Sequence, residues 1–277
     1  MRQILLLSAE SFPRMNFMVN NTWKKLARAV LCFAFWLLVW QIFSMVLARP
    51  TVLPTPFAVL QKLGELMGTK AFYMDCLYSL LRIFAGLMLG ILSGVLIASL
   101  CAAFGLFDGI FSPAVSVIKA TPIASIIILM LFILEKSYVP MVAAMLMSVP
   151  IVFSNVRKGI SSVPAEQKEV ADVYNFGFGK RLKYCIIPSV LPYFSAACRS
   201  SLGLAWKAGI AAEVICTPKY SIGLNLNDAK IYLESEALYA WTIVVVIMSV
   251  LIEKGVIFIL DRLVRKGGLA NVKTLED

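Results

Sequence analysis

Few residues in this chain could do covalent chemistry, and their types and spacing argue against it. There is no histidine, so a histidine-based triad lacks its base and a zinc site lacks its nitrogen ligand. Six cysteines (Cys32, Cys76, Cys101, Cys185, Cys198 and Cys216) are scattered with no pair at CxxC spacing. They read as small apolar packing residues. The stretch from Gly177 to Leu182, GFGKRL, lacks the spacing and the hydroxyl residue of a nucleotide-phosphate loop. No GxSxG elbow occurs, and no carboxylates pair in a pocket-like context. No catalytic residue, metal or cofactor is therefore expected on this chain. Work on a solute would draw its energy from an ion gradient or from a partner.

The chemically potent residues are instead four charges in or near apolar runs: Lys119, Arg199, Lys207 and Glu213. A charge at mid-bilayer costs at least ~2.5–3.5 kcal/mol, so each needs a partner or water. Arg199, Gly203, Trp206, Ile210 and Glu213 are spaced by 4, 3, 4 and 3, which puts them on one helical face. Lys207 flanks that face at about 100°. One reading is a substrate path lined by Trp206, Lys207 and Glu213, joined by Lys119 and Thr121 where Pro122 frees backbone groups. The other has Arg199 and Glu213 snorkelling to opposite interfaces and Lys207 paired within the bundle. Arg199 fits the second reading better.

What positions these charges follows from composition. Sixty per cent of the 277 residues are hydrophobic and 15% are charged, in long apolar blocks. Blocks of about 20 residues span a bilayer at ~1.5 Å per residue. This is an all-α integral membrane pattern. Six spans are expected, at about 29–48, 77–102, 112–134, 138–156, 190–214 and 238–260. They form one membrane domain over 24–266, with its core at about 72–261, between tails 1–23 and 267–277. The patch ILLL near the start is too short for the apolar core of a signal sequence. Met1, Met15 and Met18 stand as alternative starts, which N-terminal sequencing distinguishes.

The net charge of +10 fits a membrane protein with basic cytoplasmic loops. Nothing resembles a nucleic-acid reader: there is no zinc-finger spacing and no basic helix interleaved with exposed aromatics. With the N-terminus cytoplasmic, Lys and Arg number 15 on cytoplasmic segments and 6 on external ones. Both termini and the segment 157–183 then face the cytoplasm.

Gly86, Gly90 and Gly94, followed by Ala98 and Ala102, form a stripe of small residues four apart, suited to close packing of a second helix. Three prolines and an amphipathic run, with Val59, Leu60, Leu63 and Leu66 near one face, predict a helix along the outer interface. Pro113 and Pro122, Pro140 and Pro150, and Pro188 and Pro192 are expected to interrupt spans three to five. Broken backbone in a membrane is tolerated only where protein or a wet cavity covers it. That suits a conducting bundle better than a scaffold.

The segment 166–194, EQKEVADVYNFGFGKRLKYCIIPSVLPYF, is polar between two apolar blocks. Pro164 can open a short helix to Tyr174, with Glu166 and Glu169 near its positive end. Val170, Val173 and Tyr174 give it one apolar edge, the form of a helix that docks in a partner's groove. The alternative is an amphipathic linker lying on the membrane.

This stretch resembles the EAA loop of permease subunits of ATP-binding-cassette importers: Glu-Ala-Ala, three residues, Gly, nine residues, Ile-x-Leu-Pro. Here it runs Glu169-Val170-Ala171, then Asn175 in the Gly position, and Cys185-Ile186-Ile187-Pro188. Asn is the next most tolerant residue at positive φ, and Gly177 and Gly179 can share the turn. LPTP, SLLRIFAGLMLG, ATPIASIIIL, GLAWKAGIAAEVI and LDRLVRK, in that order, are similar to the nitrate/taurine/sulfonate branch.

The resemblance implies a six-helix type I importer permease in a bacterial cytoplasmic membrane, with Glu169 to Asn175, Gly177 and Gly179 as its ATPase-coupling helix. It also implies two ATPase subunits that bind ATP and Mg, a second permease subunit expected as an identical copy, and an external solute-binding protein. The implied substrate is a small solute such as a sulfonate, taurine, nitrate or a vitamin precursor. A gradient-driven secondary transporter is the alternative. It needs intramembrane acids, and Glu213 is the one obvious acid in a central span.

Overall fold

The computed structural model describes residues 15–266, and no strand occurs among them. Residues 1–14 of the expected N-terminal tail and the whole expected tail 267–277 lie outside the described residues. The chain divides into two compact units, Met1–Gln61 and Lys62–Asp277.

The first unit holds α1 (Met15–Leu47) and the opening turn of α2 (Pro56–Met67). Ala48 ends α1 at φ 48°, and the chain reverses. Trp40 Nε1 donates to the Pro54 carbonyl at 3.1 Å and Ser44 Oγ to the Leu53 carbonyl at 2.9 Å. These bonds satisfy loop carbonyls that an apolar setting would leave costly. Along α2, Val59 is buried and Leu63 and Leu66 join the core of the second unit, but Leu60 is exposed. The expected four-residue face is thus reduced to three.

The second unit begins with α3 (Lys70–Ala103), capped by Thr69, whose Oγ1 accepts from the Phe72 N–H at 3.3 Å. There follow α4 (Gly105–Ala120), α5 (Ile123–Met130), α6 (Val139–Ser161), α7 (Ala165–Val173), α8 (Phe178–Arg181), a π turn at Leu182–Ile186, α9 (Ile187–Cys216), α10 (Ile222–Ile231) and α11 (Ser235–Lys266). α6 is the hub, lying along both α3 and α9. A Cβ at Gly86 would fall on the Met141 carbonyl of α6, one at Gly90 would lie 2.6 Å from Ser148 Cβ, and one at Gly94 2.8 Å from Val152 Cβ. Ala98 continues this buried stripe, whereas Ala102 is exposed.

Among the described residues, four helical segments are long and apolar enough to cross a membrane: Val30–Leu47, Lys70–Ala103, Val139–Ser161 and Ser235–Ile259. The expected third span is instead two helices, α4 and α5, bent by 103°. The cause is local: Pro122 forces Thr121 to an extended ψ of 130°, so α4 cannot continue. Pro113, Pro150 and Pro192 sit inside unbroken helices, and Pro140 and Pro188 lie in first turns. One proline of the expected six therefore separates two helices. The expected fifth span is α9, whose 30 residues reach ~45 Å, but with Arg199, Lys207 and Glu213 it is not among the apolar four.

Candidate functional site

The polar insert folds as a helix on a small apolar seat. Val163-Pro164 ends α6 and starts α7, with Glu166 in the first turn near the positive helix end. Ala171 is 2% exposed and packs with Val163 and Cys185, supported by Phe176 and Ile186. Asn175 (φ 49°) turns the chain back, the Phe176 N–H donates to the Ala171 carbonyl at 2.8 Å, and Arg181 pairs with Asp172. Arg181 Nε also donates to the Phe176 carbonyl at 3.2 Å. Gly177 has φ −64° and Gly179 lies within α8 with no positive φ, so neither takes the left-handed step. Asn175 makes that turn alone.

With Ala171 facing inward, the outward edge of α7 is Val170 (51% exposed), Val173 (78%) and Tyr174 (73%), and Glu169 is exposed beside them. Phe178, just beyond the turn, is exposed as well. A large substitution at Ala171 would therefore strike Val163 and Cys185 inside the chain, not an outer contact.

The stripe on α9 divides. Trp206 lies in the core with Phe72, Leu87 and Trp241, and its Nε1 donates to the Val245 carbonyl at 3.2 Å. Ile210 and Glu213 are buried too, so this face points at α3 and α11 and not at open space. Lys207 is exposed, on a separate face with Leu204, Ala211 and Ile215. Lys119 is exposed in the last turn of α4, and Thr121 Oγ1 returns to the Val117 carbonyl at 2.8 Å. The two lysines and the α4–α5 break stay accessible. Trp206 and Glu213 do not.

Residues 86–266 match the family of binding-protein-dependent transport system inner membrane components. This chain belongs to that family. The taurine transport system permease protein of Escherichia coli is 25% identical over 224 residues, covering 78% of this chain and 80% of that one. The nitrate import permease protein of Synechococcus elongatus is 25% identical over 224 residues, covering 76% and 80%. The crystal structure of an amino acid ABC transporter with histidines shares the fold, at TM-score 0.59 and 19% identity over 74% of this chain and 97% of that one. The chain is the permease subunit of an ABC importer, on the nitrate/taurine/sulfonate branch, and a multi-pass membrane protein. It is not an enzyme. ATP hydrolysis falls to a separate ATPase subunit, and the family works with a solute-binding protein.

In this permease Glu213 is the centre of a buried network at the end of the bundle opposite α7. Its Oε1 accepts from Arg82 Nη1 at 2.7 Å, and its Oε2 from Ser79 Oγ at 2.7 Å and from the Gly223 N–H at 3.3 Å. Ser79 Oγ in turn accepts from the Ile222 N–H at 2.9 Å. Asn225 Nδ2 donates to Asp75 Oδ2 at 2.7 Å, so α3 holds the start of α10 at two points. Thr217 (φ 47°) and Pro218 make the turn, and a Cβ at Gly223 would fall on Glu213 Cβ. Ser79 and Arg82 lie inside the apolar run of α3, three apart on one face, and are not among the charges and path residues expected from the sequence. A charge within a span, followed to its opposite charge on another span, was the available signal. At the α7 end, Asp108 of α4 accepts from both Nη1 and Nη2 of Arg157 of α6, and Ser112 Oγ donates to the same carboxylate at 2.6 Å.

Proposed function

We propose that this permease spans the membrane six times, with α4–α5 as a broken span and α9 as a polar one. Both termini and α7 face the cytoplasm. The excess of Lys and Arg on the segments at that end supports this orientation. Single cysteines at Ser161 and Lys183, in a cysteine-free background, should resist a membrane-impermeant thiol reagent in whole cells, and one at Tyr220 should label. Labelling at Ser161 from outside would overturn the topology.

The observation that carries the mechanism is α7: an inward Ala171 on an apolar seat and an outward edge of Val170, Val173 and Tyr174. We read that edge, with Glu169, as the contact for an ATPase subunit. Two ATPases would bind ATP and Mg and grip two such helices, one from each copy of a permease homodimer, while a solute-binding protein delivers the substrate outside. Closure of the ATPases would then drive alternating access. Tyr174→Ala and Val173→Asp should each weaken co-purification of the ATPase about 30-fold or more, the effect of removing an interface anchor. Both side chains are exposed, so membrane levels should stay at wild type. Normal co-purification and normal solute-stimulated ATP hydrolysis in both variants would leave α7 a linker.

For the substrate we infer a small solute carrying an oxyanion group. The named substrates of the two relatives above support this, nitrate as an anion and taurine through its sulfonate, as do the accessible Lys119, in the last turn of α4, and Lys207 on α9. Lys207→Met should reduce uptake while leaving thermal stability unchanged, because the side chain is exposed and makes no ion pair among the described residues. Unchanged uptake of a sulfonate or nitrate panel would remove Lys207 from the path.

A further inference from the structure

A groove of about 600 Å³ runs between α3, α6 and the start of α9, lined by residues that include Ile91, Leu96, Ser99, Ile160, Leu182 and Phe194. Its single polar side chain, Ser99, is turned back on the Val95 carbonyl at 2.8 Å and offers nothing to a ligand. The volume falls in the roughly 300–1,000 Å³ range of small-molecule sites. From Ile91 to Ser99 the α3 wall is ~12 Å long. That is close to the ~15 Å depth of hydrocarbon in one leaflet, half of a ~30 Å core. The wall lies toward the α7 end of α3, a helix apolar enough to cross the membrane.

The chain beside the groove is basic. Leu182, which lines it, lies in the sequence Lys180-Arg181-Leu182-Lys183, whose three charged residues are all exposed. Arg181 is held by Asp172 and the Phe176 carbonyl, but Lys180 and Lys183 make no ion pair among the described residues. Lys183 Nζ lies 5.3 Å from the Tyr184 ring centre, and tyrosine is a side chain enriched where a bilayer meets water. The wall here is the π turn, a departure from α-helix often found at functional sites. It presents Leu182 and Ile186 to the groove and Cys185 to the seat of α7, so one wall serves both.

We propose that this groove binds one anionic phospholipid, an acyl chain filling it and Lys180 and Lys183 holding the headgroup phosphate. A slot of leaflet depth, apolar but for Ser99, with two exposed lysines flanking its lining residue Leu182 in the chain, matches a lipid tail and a phosphate in order. The full-length permease, exchanged into mixed micelles with equal dioleoyl phosphatidylglycerol and dioleoyl phosphatidylcholine, tests it by native mass spectrometry. Each lysine near an anionic headgroup contributes about fivefold, so wild type should retain one phosphatidylglycerol with about 30-fold preference. Lys180→Gln with Lys183→Gln should erase the preference without disturbing the fold, since both side chains are exposed. Leu96→Trp, 60% exposed in the groove wall, should remove the retained lipid of either kind. Equal retention of the two lipids by wild type, or full retention by Leu96→Trp, would overturn the proposal. So would cross-linking of Leu96→Cys to a second copy of the chain, which would assign the groove to a helix.

Discussion

Arg82→Met should destabilise the purified permease by ~3–5 kcal/mol, the usual penalty for removing one partner of a buried ion pair. Glu213 is fully buried and Arg82 nearly so, with their closest atoms 2.7 Å apart. Without the guanidinium, the carboxylate keeps only Ser79 Oγ and the Gly223 N–H as donors and must stay charged in an apolar setting or take up a proton. Glu213→Leu should cost a similar amount, because it strands Arg82 and leaves the Gly223 N–H unpaired. The double variant should recover much of the loss, since an apolar pair of similar volume is often tolerated where half a pair is not. Thermal unfolding of the four proteins in one detergent measures the coupling. Additive losses would mean that the two side chains act independently and that the network is not a single unit. Reduced uptake by Glu213 variants then reflects a loosened α9–α10 turn, not a missing carboxylate in the path.

The second large effect is expected at Gly86. Any side chain there would collide with the Met141 backbone, which cannot rotate away as a flexible side chain can. Gly86→Val should therefore separate α3 from α6 at a cost at or above the top of the ~1–3 kcal/mol range for overpacking. Reduced membrane levels and a lower unfolding midpoint should follow. Gly109→Ala is the control: nothing lies within 4 Å of a Cβ there, and alanine is the better helix former. A neutral Gly86→Val would show that α6 has room to shift and that the stripe does not set the helix spacing.

What the sequence determined by itself was what depends on near neighbours along the chain. Long apolar blocks, the proline at 122, the small stripe from Gly86 to Ala98 and the amphipathic edge of α7 are local patterns, and each formed an element close to its expected place. The short helix 165–173 and the turn at Asn175 were readable for the same reason, since they are set by residues within one stretch. Tertiary structure decided what depends on which face meets which helix. Trp206, Ile210 and Glu213 share a face by spacing alone, but nothing local says whether that face meets water or α3. The answer lay with Ser79 and Arg82, more than 130 residues away. Ala171 and Val173 are likewise near neighbours on one short helix, and only Val163 and Cys185, from the flanking turns, decide that Ala171 points in and Val173 points out. A carboxylate in a span must find a cation, but the chain offers several, and only packing selects Arg82, because burial makes an unpaired charge too costly at any other arrangement.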